Sequence, residues 1–221
     1  MQPELITFQT FEDPAMAQNL AGILTETGIE AALEENTTVY NLAQVNQPKQ
    51  YFVKIKSGDF EKARQVLNDY ESRFTDDVEP GYYLFDFTEA ELMEIIAKPD
   101  EWSAFDYVLA KKLLAWRGVT VDEAAEKQFG EDRIKELKKP ERTENTWIMF
   151  GYIFAICGGV LGFFIGWQLW KGQKTLPNGE QIYTYSPGDR QSGRHIFYLS
   201  IAGLLMAIIY KVLYLTDHPI G

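Results

Sequence analysis

The chain has 221 residues, a formal net charge of −11 and a mean hydropathy slightly below zero. Residues 1–145 hold 29 of the 32 acidic and 16 of the 21 basic side chains, a charge of −13, whereas residues 146–221 carry +2. An acidic first part repels phosphates and offers no basic stripe, which argues against a nucleic-acid partner, and the one cysteine, Cys157, allows no intramolecular disulfide.

The first 75 residues read as a small α+β domain. "ELITFQTF" alternates and is rich in β-branched and aromatic residues, predicting a strand from Glu4 to Phe11. Asp13 and Pro14 are N-cap and first-turn residues for a helix whose apolar stripe is Met16, Leu20, Ile23 and Leu24, with Gly28 as its stop. "IEAALEEN" and "YFVKIK" alternate again and predict two further strands, separated by the polar stretch 36–50. "SGDFEKARQVLNDYESRF" then predicts an amphipathic helix with Phe60, Ala63, Leu67, Tyr70 and Phe74 on one face. The order β-α-β-β-α is most of a ferredoxin-like sandwich.

The spacing from Phe11 to Ala31, with Asp59, Ala63 and Leu67 in "GDFEKARQVL", resembles a prokaryotic signal-transducing domain family similar in shape to the nitrogen-regulatory PII proteins. The resemblance covers residues 4–72 and is structural rather than chemical. It implies a bacterial source, a protein partner or small-molecule effector, and a partner-contacting loop between strands two and three. That loop is residues 36–50, with Asn36, Tyr40, Asn41, Gln44 and Asn46 as its candidate contacts. Tyr40 invites comparison with PII loops that are modified on a tyrosine. No glycine-lysine phosphate loop accompanies the match, so nucleotide binding is not carried over.

Residues 76–145 form an acidic helical segment and linker. Thr88 with Glu91 is a capping box ahead of Leu92, Ile95 and Ile96, and Pro99 breaks that helix. A second helix is expected over 100–117 with Trp102, Phe105, Leu109, Leu113 and Trp116 inward, and a third restarts at Thr120 with Glu123. Together, residues 84–118 resemble a segment of bacterial membrane proteins that carry the same N-terminal domain.

From Trp147 to Trp170 there are 24 residues without a charge, about 36 Å of helix and enough to cross a hydrocarbon core of about 30 Å. A second apolar run, Ile196–Leu215, contains only Lys211, one turn from its end. Residues 146–221 are therefore expected to be a two-helix transmembrane hairpin, with the lipid bilayer as partner and loop 171–195 outside. Six basic residues before Trp147 against four in the loop, and an N-terminus without the pattern of a signal peptide, point to both termini in the cytoplasm of a bacterial inner-membrane protein. Small residues recur as Gly151, Ala155, Gly158, Gly159, Gly162 and Gly166, and again as Ser200, Gly203 and Ala207. They serve either packing of the first span on the second or a homodimer.

The loop holds a hairpin signal, Pro177-Asn178-Gly179, then Asp189, Arg190, Arg194 and His195, which read as an anion or headgroup site or as a solvated turn. His195 and His218 lack ligand spacing, and no nucleophile stands with a base, so neither metal, cofactor nor enzymatic activity is expected. A membrane-anchored sensor or adaptor is the expected function. An accessory or scaffold subunit of a larger membrane complex is the alternative, and a membrane-surface enzyme comes third.

Overall fold

The structure, a computed structural model, describes residues 5–35, 49–141, 143–157 and 159–217. It divides into two units: residues up to Leu137 with the turn Thr175–Glu180, and Lys138–Lys174 with the chain from Gln181 onward.

In the first unit, strands β1 (Leu5–Phe11), β2 (Ala31–Glu35) and β3 (Tyr51–Lys56) form an antiparallel sheet in the order β1-β3-β2. Ile6 faces Ile55 and Leu33 faces Val53, and an irregularity between Thr7 and Gln9 makes room for Phe8. Helices α1 (Pro14–Glu26) and α2 (Phe60–Ser72) cover one face. Asp13 caps α1 by accepting the Ala15 N–H at 2.8 Å, and Gly28 at φ +78° closes it as Ile29 N–H donates back to the Leu24 carbonyl. Leu20, Leu24, Val53, Ile55, Phe60 and Ala63 form the core, with Phe8 edge-on to the Phe60 ring at 5.4 Å. On the other face Lys54 pairs with Glu34 and Lys56 with Glu30. Met16 at the start of α1 and Phe74 beyond α2, both expected inward, are exposed; Ala17 takes the buried place.

A second core lies under α3 (Glu89–Ala97), α4 (Ala104–Trp116) and α5 (Glu123–Leu137). The Thr88–Glu91 capping box is formed in both directions. The buried stripe of α4 is Leu109, Ala110, Leu113 and Leu114, one step round the helix from the expected face, which leaves Trp116 64% exposed. Helix α5 starts later than expected, with Asp122 rather than Thr120 accepting an amide, from Ala125 at 2.7 Å.

The second unit contains α6 (Asn145–Cys157), α7 (Val160–Lys171) and the long α8 (Pro187–Asp217). Strands β4 (Gln173–Thr175) and β5 (Gln181–Tyr183) flank the Pro177-Asn178-Gly179 turn as expected, with Gly179 at φ +81°. The continuous helix expected over 147–170 is instead two helices. Gly159 adopts φ +74°, which a side chain would resist, and its N–H donates back to the Phe154 carbonyl, ending α6. Among the described residues one helix, Pro187–Tyr214, is long and apolar enough to cross a membrane by length and composition.

Candidate functional site

The first unit holds a cleft of about 210 Å³. The irregularity of β1 contributes Phe8 and Gln9, α2 contributes Arg64, Leu67 and Asn68, and the chain from Pro99 to Tyr107 closes the far wall. Pro99 matters locally: it cannot continue α3, so the chain turns and places Asp100 and Trp102 beside the first turn of α4, where the Ser103 hydroxyl accepts the Asp106 N–H.

Among the described residues, Arg64 and Asp100 are the charged groups in the lining. Arg133 grips Asp100 through Nε and one terminal nitrogen at 2.9 and 2.8 Å and also reaches Glu101 and Glu136. Partial burial pushes the Asp100 carboxyl up, but the hydrogen bonds and charge of Arg133 outweigh it and hold the group below its ordinary value. With Asp100 neutralised in this way, Arg64 sets the sign of the cleft. One of its nitrogens donates to the Pro177 carbonyl at 2.6 Å, which leaves the other donors of the guanidinium for further bonds. Tyr107 donates to Glu126 at 3.1 Å, and burial first, then the Glu126 carboxylate, raises its hydroxyl so that it stays protonated. A cationic fork among Phe8, Trp102 and Tyr107 suits a small planar or anionic ligand. The Ser103 hydroxyl donates to the Asp106 carboxylate at 2.6 Å while accepting the Asp106 N–H, so both groups serve as the cap of α4. Among the described residues no three His, Cys, Asp or Glu side chains are grouped to hold a metal ion.

This cleft was not foreseen, because Phe8, Arg64 and Tyr107 come from three elements and share no local motif. The partner-loop candidates Asn36, Tyr40, Asn41, Gln44 and Asn46 lie outside the described residues, as do Gly158 and His218.

The helix-packing residues fall in the second unit. A Cβ on Gly151 would lie 2.8 Å from the Ile196 side chain, on Gly166 2.5 Å from the Phe197 nitrogen, and on Gly203 2.9 Å from the Ala155 carbonyl. Gly159 lies against Ser200 and Leu204, and Gly162 against Ala155 and the Ser200 hydroxyl. Ala207 is exposed, beyond the stretch of α8 that these glycines meet. In the loop, Arg190 stacks on the Tyr183 ring at 3.3 Å and points one nitrogen at the Trp170 carbonyl, while Asp189 accepts the Thr143 N–H. The chain matches no protein-family model, no curated protein and no solved structure.

Proposed function

We propose that the chain is a non-catalytic membrane-anchored sensor or adaptor, whose N-terminal α+β unit binds a small effector or a soluble partner at the surface of a bacterial cytoplasmic membrane. The observation that carries the anchor is the last part of α8. Every residue from Leu205 to Tyr214 is exposed, and Lys211 is the only charge among them. A partner helix would cover one stripe of such a surface; apolar side chains on every side call for an apolar solvent. Lys211 sits one turn from the end, where its amine can reach the headgroups.

The binding role rests on the cleft around Arg64 and on the sheet. The antiparallel order β1-β3-β2 with two covering helices supports a ferredoxin-like reading that, among the described residues, has no final strand beside β1. It is also compatible with the PII-like resemblance of residues 4–72.

The experiment is purification of the full-length chain in mild detergent after alkaline carbonate washing of membranes. Retention in the washed membranes with a soluble co-purifying protein is the expected result. Release by carbonate contradicts the anchor, and an integral partner in its place favours the scaffold-subunit reading.

A further inference from the structure

The first apolar run folds back on itself. Gly162 lies against Ala155 so closely that an added Cβ would be 2.6 Å from both the nitrogen and the Cα of Ala155, and the Ile165 side chain is 3.1 Å from a Cβ built on Gly151. Both pairs straddle residues 158–159 symmetrically. A continuous helix would hold them about 10 and 21 Å apart along its axis. Helices α6 and α7 are therefore antiparallel arms joined at Gly159, which is itself buried under Ser200 and Leu204 of α8.

The arms are short. Thirteen and twelve residues give about 20 and 18 Å, each well under the roughly 30 Å of a hydrocarbon core. Their two ends also differ in chemistry. At the open end Asp189 meets the Thr143 amide, Lys174 pairs with Glu141, Lys171 lies over Trp170 and Arg190 over Tyr183. At the closed end Ile156, Val160 and Leu161 are 72, 54 and 58% exposed, with no charge near them in sequence. The closed end also stops at Ser200–Leu204, the middle of α8.

We propose that residues 145–171 are a re-entrant hairpin. It enters the lipid bilayer from the side of the N-terminal unit, turns near the midplane at Gly159 and leaves on the same side, so that α8 alone crosses. This rests on the membrane reading above, and it places the two termini on opposite sides, unlike the two-span arrangement expected from hydropathy. Non-helical backbone at membrane depth is tolerated where protein buries it, and Gly159 meets that condition. A second observation is independent of the hairpin. Ser57 donates to the Gly179 carbonyl at 2.8 Å and Arg64 to that of Pro177, so the turn that follows α7 packs with residues of the N-terminal unit. A span that crossed would leave that turn across the bilayer.

The test uses the full-length chain in sealed membranes, with Cys157→Ser removing the only native thiol and one new cysteine at a time. Glu26→Cys reports the N-terminal unit, Gln173→Cys and Gln181→Cys report the loop at exposed positions, and a cysteine appended after Gly221 reports the C-terminus. An impermeant maleimide is expected to label both loop positions from the same side as Glu26→Cys and the appended cysteine only from the other. Loop labelling from the side opposite Glu26→Cys, with the C-terminus on the Glu26 side, overturns the hairpin in favour of two spans. Labelling of all four from one side of carbonate-resistant membranes overturns the crossing by α8. Release of the chain by carbonate overturns the membrane reading itself and is read before any label is added.

Discussion

Gly162 packs directly on the backbone of Ala155, seven residues earlier in the chain, with no room for a side chain between them. Backbone atoms cannot rotate away as a side-chain tip can, so a methyl group at residue 162 must part the two arms or distort one of them.

The same substitution should consequently have opposite signs at two helical glycines. Gly22, exposed in α1, has nothing within 4 Å of an added Cβ, so Gly22→Ala should stabilise by about 0.5–1 kcal/mol through helix propensity. Gly162→Ala gains the same propensity but adds overpacking of about 1–3 kcal/mol and should be net destabilising. Thermal melts of the two variants in detergent, against the parent chain, check the pair; a stabilising Gly162→Ala contradicts the close approach.

Arg133 gives a prediction with a pH sign. Its partner Asp100 has a folded-state pKa below the unfolded value of about 3.9. Its contribution is therefore complete above that value and is lost as pH falls through the folded pKa. Arg133→Gln should cost about 2 kcal/mol at neutral pH, since it removes charge-assisted bonds from a side chain only 10% exposed, and progressively less as pH falls below about 3.9. Glu71 has the opposite sign. Burial alone raises it, so the ionised form is disfavoured in the folded state and Glu71→Gln should stabilise at pH 7 but not at pH 3. Melting midpoints at the two pH values separate the cases.

Met206 is 70% exposed near the middle of the apolar stretch of α8. Met206→Asp should raise the insertion cost by about 2.5–3.5 kcal/mol and lower the fraction of chain retained in carbonate-washed membranes. Gln181→Asp, in the loop, should leave that fraction unchanged.

Much of the local structure was legible in the sequence because single residues dictate it. Asp13, Pro14 and Gly28 bound α1, Thr88 and Glu91 start α3, and Pro177-Asn178-Gly179 turns β4 into β5. The face of a helix was less legible where apolar residues lie all round it, as on α4, where Leu113 and Leu114 are buried and Trp116 is not. The fold-back at Gly159 was hidden for a related reason: an uncharged run has the same hydropathy whether the helix continues or reverses. The adjacent pair Gly158-Gly159 at its centre was the available signal. The cleft at Arg64 was illegible because it exists only once β1, α2 and α4 are assembled.

The most direct test of the account is a distance across the hairpin. In a Cys157→Ser chain in lipid, spin labels at Met149→Cys and Gln168→Cys, both exposed positions, report the separation of the two arms. Adjacent antiparallel helices with axes about 10 Å apart predict a label-to-label distance below about 20 Å. One continuous helix across nineteen residues would give about 28 Å or more, and that result would contradict the re-entrant arrangement.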